Sequence, residues 1–497
     1  MKRTTSVLIL IALLAASAAS CGGEATSVDT TNGSEAANTP GTEDLYLDDL
    51  PADVNLGGQE IRFLYRAEVA NEFYVEEATG DVVDDAIHAS VTAVEERLNA
   101  KLAATLMDGH YLNARDGYKN HITNSIMAGD DLYDWVDMMS GSGPILQQNG
   151  TFKNLLKNDQ LHFDKPYYVR DLVDNMAITD GLYFLCGDAS LGYMKTAFCL
   201  YYNKKIAENF KVEDVYALVD SGKWTVDKAR EITAATAADV NGDGSYTMAD
   251  DNYGFVIHDT NHIWGFMNST DTHTYLRSDD GTWQYNYGTE ADFDNVSRIH
   301  ALLYETDGNF RFTGTNASES QQEEYNQITA AFTSDRIFML SAEMDDSVAY
   351  FRDMKTDYGI LPMPKKDEAQ ENYYSGSRST HNIFAMPVTT NNAEYAAMFM
   401  EALSADKYQR ALPAYFEVAL KTKYSRDDDS ARMYDIIHDG MLLNFSYLYS
   451  PALGVGNYFT NGVAKPTAFA SYIASSKDAN QAKFDAYIEK MKENCLE

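Results

Sequence analysis

Between residues 60 and 143, three short apolar runs alternate with two amphipathic stretches, and this alternation limits the chain to few architectures. Residues 60–65 (EIRFLY) read as a strand. Residues 84–100 place Ile87, Val91, Val94 and Leu98 on one face of a helix. Residues 101–107 (KLAATLM) form a second predicted strand and 117–128 a second helix. Residues 133–139 (YDWVDMM) are a third strand, ending in Ser140-Gly141-Ser142-Gly143. Strand–helix–strand–helix–strand predicts a parallel sheet with crossover helices. Ligands in such sheets bind beyond the carboxyl ends of the strands. That nominates two loops, 66–81 and 140–143.

A second series follows, with predicted strands at 196–202, 253–257, 337–341, 358–362 and 382–388 and helices at 227–237 and 292–304. Everything after residue 391 reads as helical. Two α/β units with a helical tail predict two lobes. With 39 Lys+Arg against 75 Asp+Glu, the net charge of −36 argues against nucleic-acid partners and anionic membrane surfaces. An apolar share of 45% is too high for a disordered chain and too low for a multispanning membrane protein.

The N-terminus carries its own signals. Met1-Lys2-Arg3 is followed by a ten-residue apolar run at 7–16, too short to span ~30 Å of hydrocarbon. Ser17-Ala18-Ala19-Ser20 then leads to Cys21. This is the pattern of a secretory signal peptide over residues 1–20. With Cys21-Gly22-Gly23 it resembles the bacterial lipoprotein lipobox, although Ala18 stands where Leu is usual. The resemblance implies a lipidated Cys21, including an amide-linked fatty acid such as palmitate, and anchoring at the extracytoplasmic face of the cell membrane. More than one acyl chain gives stable anchoring where one is marginal. Residues 21–57, rich in Thr, Ser, Gly, Asn and acid, read as a flexible linker. Cys186, Cys199 and Cys495 are odd in number and irregular in spacing, so they predict no disulfide framework.

Six stretches then occur in a telling order: 196–204 (TAFCLYYNK), Gly222-Lys223-Trp224-Thr225, Tyr253-Gly254-Phe255, 332–340 (FTSDRIFML), 358–364 (YGILPMP) and 382–389 (NIFAMPVT). Together they resemble the extracellular solute-binding proteins of ABC importers, family 1, the maltose- and sugar-binding branch. Asp335 departs from the family's usual Gly. Residues 74–86 also resemble a loop of clostridial-type lipoproteins. The resemblance covers nearly all of residues 58–497. It implies a two-lobed, type II periplasmic-binding fold with lobe one at 58–196 plus 382–420 and lobe two at 197–381 plus 421–497. It further implies an interlobe cleft, a hinge that closes on a sugar or oligosaccharide, a monomeric state, delivery to permease subunits and no enzymatic activity.

Loop position selects the candidate ligand-binding residues. Arg66, Tyr74 and Glu76 follow the first strand, and Ser140 and Ser142 follow the third. Trp264, with Asp259 and His262 close by, is the leading candidate for stacking on a sugar face, in a segment that resembles a ligand-contacting one. Glu343 and Met344 follow the 337–341 strand, and Asp188 lies in Cys186-Gly187-Asp188. Residues 239–250 (DVNGDGSYTMAD) match a calcium loop of the EF-hand type. Its expected ligands are Asp239, Asn241, Asp243, the Ser245 carbonyl and Asp250, and the ion would be structural; no other cofactor is expected. The competing readings are a secreted carbohydrate-active enzyme using paired carboxylates and an adhesion lipoprotein. No Gly-x-Ser-x-Gly, His-Glu-x-x-His or phosphate-loop motif occurs.

Overall fold

A computed structural model describes residues 46–258, 260–278, 280–311, 319–421, 428–455 and 457–495. The signal peptide, Cys21, most of the linker and Asp259 lie outside the described residues. The last part of the expected linker is packed rather than free. Leu50 and Leu56 are buried, and Asp48 pairs with Arg97 at 2.6 Å.

The first sheet is built from β1 (Gln59–Arg66), α1 (Val82–Leu98), β2 (Ala100–Met107), α2 (Arg115–Ala128) and β3 (Trp135–Met139). β1 alternates as its period requires: Ile61, Phe63 and Tyr65 enter one apolar cluster and Leu64 the other. Asp81 starts α1 by accepting hydrogen bonds from the Val83 and Asp84 amides. α1 ends at Asn99, whose left-handed φ of 48° closes the last turn.

The chain then crosses into a second sheet: β4 (Phe198–Asn203), α3 (Val226–Thr236), β5 (Tyr253–Ile257), α4 (Ile263–Ser269), α5 (Glu290–Tyr304), β6 (Phe310–Arg311), α6 (Glu319–Thr333), β7 (Ile337–Glu343) and β8 (Tyr358–Pro362). Its order is β8-β4-β7-β5-β6. The chain returns through β9 (Asn382–Ala385), followed by helices α7 (Ala393–Gln409), α8 (Ala411–Lys421), α9 (Asp428–Asp439), α10 (Phe445–Leu453) and α11 (Pro466–Asn494).

The first sheet has the order β9-β3-β1-β2. β1 is parallel to β2 and β3, as the alternation predicts. β9 is antiparallel, from Asn382 opposite Met139 to Ala385 opposite Val136. A strand entering from the other sheet, not over a crossover helix, runs in from the opposite end. β4 likewise runs antiparallel to β7 and β8. Both sheets are therefore mixed, and the class is α/β.

The crossing segments lie side by side. Ala197 bridges Ser377 in antiparallel fashion. The Phe198 amide donates to Gly376 O at 2.9 Å and the Arg378 amide to Thr196 O at 3.0 Å. On the other flank, Met344 and Asp345 amides donate to Ala197 O and Lys195 O, each at 2.9 Å. Three strands' worth of backbone thus converge at the crossing. From α7, the buried Lys407 ammonium reaches the carbonyls of Phe73 and Ala189. Burial pushes its pKa well down, against the opposing pull of Asp406.

Candidate functional site

The crossing is also where polar and aromatic side chains gather. Glu343, at the end of β7, accepts from Arg378 Nη1 at 2.8 Å. It stands 3.6 Å from His262 Nε2. His262 is oriented by its Nδ1 contact of 2.6 Å with Ser341 O and by edge packing on Phe198. The next residue of the crossing, Ser379, donates its amide to Tyr447 Oη at 2.9 Å. It accepts from Ser140 Oγ at 3.1 Å. Tyr447 is held by its place in the first turn of α10, where Asn444 caps its amide. Its ring lies 5.0 Å from Trp264, which Phe459 backs at 6.0 Å.

Trp264, Tyr447 and Arg378 are half-buried. Burial holds the Tyr447 hydroxyl above its ordinary range, hence neutral. This arrangement offers a flat apolar ring beside fixed donors and acceptors: a guanidinium, a carboxylate, a phenol and seryl groups. It suits a guest with C–H faces and several hydroxyls.

A second network lies alongside. Asp137, buried in β3, accepts from Arg66 Nε at 2.7 Å and from Asn382 Nδ2 at 3.0 Å. Arg66 also donates to Thr380 O at 3.1 Å. Arg66 is only 2% exposed, so it ties β1 to the crossing and is not free to meet a ligand. Its expected role is corrected accordingly. Met344 is fully buried, and its carbonyl accepts from Tyr201 Oη at 2.7 Å; it too belongs to the core.

The other nominated residues divide. Ser140 and Ser142 are buried in a short 3-10 turn rather than an open glycine loop. Gly141 there faces Pro451, which a Cβ would meet at 3.3 Å. Tyr74 is half-buried against the core of the first sheet. Glu76 is exposed. Asp188 sits 4.0 Å from His438 Nε2. Burial works against that imidazole's charge, yet Asp188 and Asp439 raise its pKa to about 10. The structure thus brings together His262, Trp264, Glu343 and Ser140. It adds Arg378, Ser379 and Tyr447, which sequence reasoning missed. The polar run 375–380 directly before the 382–388 strand was the available signal for the first two; Tyr447 had none.

The 239–250 loop folds on itself. Asp239 accepts from the Gly242 and Gly244 amides at 2.7 and 2.8 Å. Asp243 accepts from the Ser245 amide at 2.8 Å. Buried Asp251, not Asp250, pins the loop by accepting from the Val240 and Thr247 amides. Among the described residues no three His, Cys, Asp or Glu side chains are grouped to hold a metal. The expected ligands Asp239, Asn241, Asp243, Ser245 and Asp250 share this one turn. Elsewhere, a groove of about 460 Å³ is lined by Phe152, Lys153, Asn154, Tyr183, Met386 and Cys495. It includes none of the nominated residues.

No protein-family model and no curated protein matches the chain. Solved structures do match in fold. The galacto-N-biose-/lacto-N-biose I-binding protein of an ABC transporter from Bifidobacterium longum superposes with a TM-score of 0.55 at 11% identity, covering 88% of this chain and 98% of that one. A cyclo/maltodextrin-binding protein complexed with maltotetraose gives 0.53 at 11% identity, covering 87% and 96%. UspC of M. tuberculosis gives 0.53 at 11% identity, covering 85% and 100%. The chain therefore has the two-lobed α/β fold, of the type II periplasmic-binding kind, that these proteins share.

Proposed function

We propose that this protein is an extracytoplasmic solute-binding protein of an ABC importer, a binder and not an enzyme, that captures a sugar or oligosaccharide between its two lobes. The observation that carries this reading is the crossing site, where Trp264 and Tyr447 stand beside Arg378, Glu343 and Ser379. A fold shared with proteins solved with lacto-N-biose and maltotetraose supports it. Lobe one is residues 58–196 plus 382–420 and lobe two 197–381 plus 421–497. The lobes close about the crossing segments, and the ligand favours closure through contacts it makes only when both lobes touch it. The signal-peptide pattern and Cys21 support lipid anchoring at the membrane's outer face, where the protein would act as a monomer that hands its ligand unchanged to permease subunits.

Incubation with an oligosaccharide panel tests this. A ligand at a hundredfold excess over Kd should stabilise the fold by about 2.7 kcal/mol, with no product released. Turnover of any panel member would instead establish an enzyme. Trp264→Ala should weaken binding of the active sugar by about 2 kcal/mol, roughly thirtyfold, with Trp264→Phe retaining most affinity. Calorimetric titration reads both. Unchanged affinity in the alanine variant would remove the stacking role.

A further inference from the structure

Glu72 follows β1 in a short 3-10 turn (Ala67–Glu72) and is only 8% exposed. Among the described residues its carboxyl group has no hydrogen-bond partner; Lys195 Nζ lies 3.9 Å from Oε1. The other oxygen, Oε2, lies beside Gly192. A Cβ built on Gly192 would stand 1.8 Å from Asn382 Oδ1 and 2.3 Å from Glu72 Oε2, so both oxygens crowd one point beside that glycine. The Asn382 amide cannot turn a donor towards Glu72. Its Nδ2 is committed to Asp137 Oδ1 at 3.0 Å and to Tyr65 Oη. Its Oδ1 accepts from Ser190 Oγ at 3.3 Å. Only a proton on Glu72 supplies a donor between these two acceptors.

Lys195 is shared. Its ammonium is 3.5 Å from Asp345 Oδ2, and Asp345 also accepts from Tyr415 Oη at 3.3 Å. Asp345 lies two residues beyond Glu343, and the Arg378 amide donates to Thr196 O, the residue next to Lys195, at 3.0 Å, which links the Lys195–Asp345 pair to the crossing site through the backbone. We propose that Glu72 is a proton-operated switch at the crossing. With its proton it hydrogen-bonds Asn382 Oδ1 and leaves Lys195 to Asp345; without it, it draws Lys195 away from Asp345.

The groups facing Glu72 set the working range. Lys195 and Arg66 favour its charge, while Asp137 and Asp345 oppose it; Arg66 is itself neutralised by Asp137. Tyr65 is neutral, and Lys407 from α7 holds the adjacent Phe73 carbonyl. Burial dominates and raises the Glu72 pKa from 4.5 to about 7. The folded value lies above the unfolded one. The folded state therefore holds the proton more tightly, and stability falls as pH rises from 4.5 to about 7.

Carbon-13 carboxyl NMR of the native protein should find one glutamate titrating near neutrality, absent from Glu72→Gln. The melting temperature of native protein should drop by several degrees between about pH 5.5 and pH 8.5, with that component missing in Glu72→Gln. A native protein with no glutamate titrating above about pH 6, or a Gln variant that keeps the full pH dependence, overturns the switch. These measurements need no ligand. A further arm rests on the sugar-binding reading: affinity for the sugar identified by the panel should change about threefold or more across the same pH range in native protein. In Glu72→Gln it should stay at the acid-side value. A flat native affinity profile beside a confirmed titration would uncouple the switch from binding and so overturn its effect on the site. Absence of any sugar ligand would count against the binding reading alone.

Discussion

Asp137→Ala should lower the unfolding free energy by about 3–5 kcal/mol, read as a fall in the urea midpoint. Removing one partner of a buried pair leaves the other charge uncompensated. Asp137 is fully buried. It accepts from Arg66 Nε, from the Arg66 amide and from Asn382 Nδ2. Its loss strands a guanidinium that is 2% exposed and frees the amide that holds β9 against β3. Asp137→Asn should cost less, because an amide oxygen still accepts from Arg66. A change below about 1 kcal/mol for the alanine variant would show that the pair is not a structural tie.

On the proposed function, Arg378→Ala should reduce affinity for the sugar ligand by about two orders of magnitude, equivalent to about 2.7 kcal/mol. The guanidinium is only partly exposed and meets Glu343 Oε1 at 2.8 Å. Without it, the partner left to the Glu343 carboxylate among the described residues is His262 at 3.6 Å. Such truncations lose the contact and also leave the surviving charge poorly compensated. Arg378→Lys should recover part of the affinity, since it restores charge without the planar fork. Titration calorimetry distinguishes these outcomes. Equal affinity in native and alanine proteins would move the ligand away from the crossing.

Much of the fold was legible because strand periodicity and order survive without knowledge of contacts. β1, β2, β5 and β8 start and end within a residue or two of the sequence reading. Asp335, where a glycine is common in the resembling family, adopts a left-handed φ of 63°. Its carboxylate compensates by accepting from Asn203, Lys205 and Thr356. What remained hidden was which polar residue points where. Arg66 stands at the carboxyl end of a strand, as a ligand-binding residue would. Only the partner Asp137, from another strand, shows that its charge is already spent. Tyr447 enters the site from a helix far along the chain, and nothing local marks it. The 239–250 spacing was a true turn signal, but Asp251, one position beyond the expected last ligand, holds the loop through backbone amides.

The late return of β9 carries a consequence for biogenesis. Asn382 joins Asp137 across a sequence separation of 245. Helix α7, whose Phe399 and Met400 complete the core over β1, comes later still. Synthesis at about 5–20 residues per second leaves the first sheet without its closing edge for tens of seconds. The nascent chain should thus stay loosely folded while most of it emerges. Truncations ending before residue 382 should be more protease-sensitive across residues 58–196 than the same segment in the full-length protein.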